Sequence, residues 1–157
     1  MAFDQAAIKS LYSQISSPIK QLAAIKSFIP HEPKAAPTVL PAFALWWGGD
    51  PGIGPARGLS GLAATSARIE FQGRSYTDNT KPAPDVEAQL MTLASLVIGV
   101  FAGSFTLDGE AMEVDLLGRY GAPLSATPGY IDHDGHQFRV AQCVIPVICD
   151  GLWVQVP

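Results

Sequence analysis

The stretch Gly129–Cys149, GYIDHDGHQFRVAQCVIPVIC, decides the fold class of this chain. Asp134-Gly135 lies between two runs of strand-forming residues. A type I′ turn needs positive φ at both central positions, which makes Asp-Gly one of the strongest short hairpin signals. The reading is a β-hairpin with a short arm ending at His133 and a long arm beginning at His136. The same stretch crowds Asp132, His133, Asp134 and His136 together, which raises the question of a metal. With Asp134-Gly135 at the tip, His133 and His136 face each other across the first rung. Asp132 and Gln137 point to the other side. Two imidazoles need a third ligand to hold a metal. The fragment Asp132-x-Asp134-Gly135 mimics part of a calcium loop. Tyr130 and Ala141 stand where that loop needs an oxygen ligand and a glutamate. The stretch is therefore read as a solvated turn, with no metal site.

Working outward, "AMEVDLLGRY" (111–120) reads as a further strand and "LWVQV" (152–156) as a short last one. Upstream, Val86, Leu90, Leu93, Val97, Val100 and Phe101 recur at helical spacing. Leu96 and Ile98 widen that stripe and predict a central helix, with Asp85 as its cap and Gly103 as its stop. In "ATSARIEFQGRSYTDN" (64–79), Ala67, Ile69 and Phe71 alternate with Arg68, Glu70 and Gln72, the pattern of a half-buried strand. "TVLPAFALWW" (38–47) reads as another strand. Pro41 marks either an edge position or the point where pairing begins. At the N-terminus Asp4 is placed to cap a helix whose stripe runs Ile8, Leu11, Tyr12, Ile15, Ile19, Leu22, Ile25. Ser17-Pro18 predicts a kink or a second start within it. "PHEPKAAP" (30–37) is an extended linker.

The order α, β, β, α, β, β, β predicts an α+β fold: a mostly antiparallel sheet with an N-terminal helix and a central amphipathic helix packed on one face. One domain is expected over residues 1–157. Its core is expected to join Ile69, Phe71, Leu90, Leu93, Val97, Phe101, Val140 and Val144. Residues 48–61, with six glycines and two prolines, are expected to form a flexible loop and to serve as an interaction arm.

Of the 157 residues, 48% are hydrophobic and only 15% charged, against ~25% charged in ordinary soluble domains. Neutral surface on that scale points to burial against partners. The net charge is −4 with no run of Lys or Arg, which argues against binding driven by nucleic-acid phosphates. No basic segment followed by an apolar one opens the chain, so no signal peptide is expected. The longest apolar stretch, Leu90–Gly103, falls short of the ~20 residues that span a bilayer, and no membrane partner is expected. Cys143 and Cys149 lie about 20 Å apart if extended, too far for a disulfide. They read as free thiols in a reducing cytoplasm.

Catalytic motifs are missing. Gly52–Gly58 does not fit GxGxxG, and neither Gly-Lys-Ser/Thr nor Gly-x-Ser-x-Gly occurs. His31 lies in the proline linker. No catalytic, cofactor or metal residue is expected, and the chain is not expected to be an enzyme. Interaction residues are expected instead. Adjacent Trp46 and Trp47 point to opposite faces of a strand, and Trp is enriched at interface hot spots. Ile53, Arg57 and Leu59 in the glycine loop and Trp153 near the C-terminus complete the candidate set.

The layout resembles the small tail terminator proteins of long-tailed bacteriophages over nearly the whole chain. The resemblance rests on the N-terminal amphipathic helix, the proline-rich lead "APTVLPAFALWW" into a strand and the Gly/Pro-rich loop. An alternating strand, a second helix and "GSFTLDGEAMEVDLL" before the final hairpin complete it. It implies a structural virion protein that forms a ring, a hexamer, at the head-proximal end of the tail tube. The ring ends tube polymerisation and joins the tail to the head connector. The implied partners are the chain itself, the tail tube protein and the head connector or stopper protein, with DNA passing through the lumen unbound. The place implied is the virion neck, assembled in the host cytoplasm. Two other readings stay open: another head-completion or minor tail protein, or a small soluble ligand-binding domain or enzyme without a recognisable site.

Overall fold

The computed structural model describes residues 5–56, 58–59, 63–64, 66–103, 106–107 and 112–151. The fold is α+β. Helix α1 (Gln5–Lys20) is followed by strands β1 (Ser27–Ile29), β2 (Ala42–Trp47) and β3 (Ile53–Pro55). Short strands β4 (Gly58–Leu59) and β5 (Ala63–Ala64) lead into the long β6 (Ser66–Tyr76). Helix α2 (Ala83–Gly103) then precedes β7 (Met112–Val114), β8 (Ser125–His133) and β9 (His136–Asp150). The main sheet runs β1-β2-β6-β9-β7, with β3 also on β6 and β8 also on β9. Every pairing is antiparallel except β1 with β2.

The centre of the sheet is the pair β6–β9, matched residue for residue from Ser66↔Asp150 to Tyr76↔Val140. Each of these long strands has two short collinear strands along its outer edge. β2 and β3 line β6, and β8 and β7 line β9. The expected turn is present. Asp134 and Gly135 have φ of 52° and 80°, and His133 is paired with His136. The short arm reaches back to Ser125, four residues further than the sequence suggested.

Both helices cover one face. Ile69 and Phe71 of β6, Phe43 and Leu45 of β2, and Cys143, Ile145 and Val147 of β9 meet Leu11, Ile15 and Ile19 of α1 and Val97 and Phe101 of α2. Burying that much apolar surface at ~25 cal/mol per Å² is the main stabilising term. The opposite face carries a smaller cluster of Ala42, Ala44, Tyr76, Phe138 and Val140. Val140 therefore belongs to the other side of the sheet, and Val144 is only half-buried. Both sit at even positions of β9, while the helix-facing residues are odd. "VAQCVIPVIC" is apolar at both parities, so its alternation does not reveal the face.

Several local readings change. Helix α1 runs through Pro18 without restarting and stops at Lys20. Pro18 sits in the last turn, where the hydrogen bond it forfeits is one of the last in the helix. Leu22 and Ile25 lie in turns beyond, still packed on the core. The Asp4 cap lies outside the described residues. Strand β1 stands where the end of the helix was expected, just before the linker. Pro41 marks the beginning of pairing, since β2 starts at the next residue. Asp85 lies within the first turn of α2 rather than capping it. The N–H groups of Asp85 and Val86 both reach the Pro82 carbonyl. Leu96 and Met91 are exposed, so α2 is covered on one side only. It is long and apolar enough to span a bilayer by length and composition, yet its Leu90, Leu93, Val97 and Phe101 are buried in the protein. The strand expected over 111–120 ends at Val114. Beyond it the Asp115 carboxylate accepts N–H bonds from Arg119 at 2.8 Å and Tyr120 at 3.0 Å and turns the chain.

The glycine-rich segment is not a free loop throughout. Ile53–Pro55 pairs with Ala67–Ile69, and the Glu70 N–H donates to the Gly52 carbonyl at 2.9 Å. At Gly49 φ is +136°, and a side chain there would collide with the Glu70 carboxylate. Ile53-Gly54-Pro55 carries no local strand pattern. β3 exists because β6 offers it a partner.

Candidate interaction surface

Alternation along β2 sends its two tryptophans to opposite faces. Trp46 faces away from the helices, half-buried, with the Arg74 guanidinium 5.2 Å above its ring. Trp47 lies on the helix side and is 62% exposed. Its Nε1–H donates to the Gly52 carbonyl at 3.0 Å, which fixes the indole while leaving its surface open. Ile53 stands beside it on β3. The structure therefore brings Trp47 and Ile53 together and keeps Trp46 apart from them. Leu59 is described only as backbone, in β4 paired with Ala63. Arg57 and Trp153 lie outside the described residues.

Trp47 and Ile53 form one wall of a groove of about 480 Å³ whose lining is almost wholly apolar. Ile8, Leu11 and Tyr12 of α1 form the other wall, and Ile69 and Phe71 of β6 the floor. The Tyr12 hydroxyl donates to the Leu45 carbonyl at 2.9 Å. Burial pushes its pKa up to about 12, so this anchor between helix and sheet stays protonated beyond the ordinary tyrosine value of 10.0. Among the described residues Lys9 is the one charged member of the groove's lining. An open apolar groove of this kind favours an apolar occupant through the water it releases. Ile8 and Phe71 belong to this surface but were not among the expected residues. The helical stripe marked Ile8, and the alternation marked Phe71, only as core.

The other face of the sheet carries a polar ladder that the sequence did not suggest. Arg68 and Glu70 form an ion pair at 2.9 Å with side chains only 7% and 8% exposed. Arg68 also donates to the Ala122 carbonyl at 3.0 Å, beneath a chain excursion over residues 115–124. Gln72 donates to Glu70 at 2.7 Å, Gln142 to Gln72 at 3.3 Å, and Arg74 to Gln142 at 3.1 Å. Arg74 donates also to the Tyr76 hydroxyl at 3.1 Å, and that hydroxyl lies 3.0 Å from His133 Nε2. Arginine can only donate, so the Tyr76 oxygen accepts there and its own proton is free for His133. His133 is thus engaged in the ladder, while His136 is exposed. Among the described residues no group of three His, Cys, Asp or Glu could hold a metal ion.

Cys143 and Cys149 are both buried and free. Burial pushes both thiols up to about 12, and the Asp150 charge adds to the shift at Cys149. Thiols held protonated in this way are poor nucleophiles at neutral pH.

No protein-family model matches the chain, and no curated protein matches it. The functional reading therefore rests on the chemistry of its own surfaces.

Proposed function

We propose that this protein is a structural ring component of a phage neck, a tail terminator. In this reading identical copies close into a ring, hexameric as the resemblance implies, on the head-proximal end of the tail tube. The ring stops tube growth and offers its other end to the head connector. The observation that carries the reading is the open apolar groove at Trp47 and Ile53, on a chain with only 15% charged residues. A lone soluble chain gains nothing from leaving such a groove wet, whereas a ring subunit has a neighbour to fill it. The net charge of −4 suits a lumen through which DNA slides without sticking. The test adds purified protein to polymerising tail tubes. Tubes capped at one end by a ring support the reading, and tubes that grow unchanged count against it.

A second reading is favoured by the size of the same groove. A volume of about 480 Å³ lies within the range of small-molecule sites, so a ligand-binding domain for a compact apolar molecule would also use it. Native mass spectrometry of protein purified from cells distinguishes the two readings: a bound small molecule favours the second, a multiple of the chain mass the first.

A further inference from the structure

The lining of the groove restricts the chemistry of a molecule that could fill it. Its floor, Leu11, Ile69 and Phe71, is buried, and its rim, Ile8, Trp47 and Ile53, is open to solvent. The hydrogen-bond donors of its two polar aromatic residues are already engaged within the chain. The Trp47 indole N–H donates to the Gly52 carbonyl and the Tyr12 hydroxyl to the Leu45 carbonyl. A carboxylate drawn into the groove would find both donors taken and would lose its hydration, which is costly. The inner part therefore favours an apolar body, and a volume of about 480 Å³ suits a small molecule.

Charge enters the lining at Lys9 alone. Lys9 is exposed on α1, and among the described residues no carboxylate lines the groove and no ion pair engages Lys9. A lysine stem lies along apolar surface while its ammonium stays in water. A ligand whose apolar body fills the groove keeps its polar end at the wet mouth, where that ammonium favours negative charge. We propose that the groove binds a small monoanionic amphiphile, a single apolar chain ending in a carboxylate, with the chain over Ile69 and Phe71 and the head beside Lys9. The inference rests on the small-molecule reading of the groove and narrows it to one kind of ligand. A cationic head on the same chain is repelled there.

The test titrates the protein with decanoate and with decyltrimethylammonium, at low ionic strength and below the concentration at which either aggregates. Trp47 lies in the groove wall, so a bound chain is expected to shift tryptophan emission to the blue. Decanoate is expected to bind about 5-fold tighter than the cation or better. Lys9→Glu is expected to reverse that order, and Trp47→Phe to remove the emission shift. Circular dichroism checks the fold, and Lys9→Met, expected to erase the difference between the probes, replaces Lys9→Glu should that variant unfold. Equal binding of both probes, or an order that Lys9→Glu leaves unchanged, overturns the anionic head and leaves the small-molecule reading standing. A shift that persists in Trp47→Phe comes from another tryptophan and overturns the site. If neither probe binds the wild type, the proposal and the small-molecule reading both fall.

Discussion

Replacing Glu70 with Ala breaks the buried ion pair on the central strand, and the cost can be worked from the structure. Arg68 and Glu70 are both about nine-tenths buried, 2.9 Å apart. Glu70 accepts a second hydrogen bond from Gln72 at 2.7 Å. Removing the carboxylate leaves the Arg68 guanidinium buried without its counter-charge and the Gln72 amide without its acceptor. Arg68 Nε is already buried without a partner among the described residues. Breaking such a pair from one side costs ~3–5 kcal/mol, a large part of the ~5–15 kcal/mol that holds an ordinary domain together. Removing both charges is a different perturbation. Arg68→Met with Glu70→Leu leaves no orphaned ion and is expected to be near neutral or mildly stabilising. Urea unfolding followed by circular dichroism on wild type, Arg68→Met, Glu70→Leu and the double variant gives the cycle, with Glu70→Ala measured beside it. A Glu70→Ala loss below about 1 kcal/mol would refute the reasoning, because it would mean that water reaches the pair.

Leu93 is 1% exposed on the sheet-facing side of α2, and Leu93→Ala is expected to cost ~2–5 kcal/mol in the same assay; a loss near zero would mean the wrong helix face has been assigned. Gly135 has φ of +80° and open space where a side chain would go, so Gly135→Ala should cost only the backbone term of ~1–2 kcal/mol, while Asp134→Asn is tolerated; equal effects at both positions would count against a type I′ turn. Cys143 and Cys149 should resist maleimide at pH 8 in the native protein and label quickly in urea, and fast native labelling of either would contradict their burial. Tyr12 and both cysteines have folded pKa values raised to about 12 from 10.0 and 9.0. The unfolded chain therefore ionises first, and these groups remove stability as pH rises from about 9 to 12; an unchanged melting temperature over that window would argue that they are solvated.

The parts legible in the sequence were those set by neighbouring residues. Asp134-Gly135 fixes its turn by its own φ preferences. The stripe Leu90, Leu93, Val97, Phe101 identifies the face of α2 that meets the protein interior. Features that depend on distant chain were not legible. Alternation placed Arg68 and Glu70 on the correct face of β6, but their burial comes from the excursion over residues 115–124, far away in sequence. Ile53-Gly54-Pro55 carries no strand pattern and pairs only because β6 extends past the end of β2. The groove was half visible. An adjacent pair of tryptophans predicts that one faces outward, but which one follows from where the helices pack. The run over 111–120 reads as a strand, but the Asp115 carboxylate turns the chain after Val114.

The measurement that bears most directly on the account is the native mass of the purified wild-type protein, read together with negative-stain images of the same sample. A closed ring whose mass is a whole multiple of the 16.6 kDa chain is the predicted result. A monomer that persists at high concentration, with no ring in the images, would contradict it.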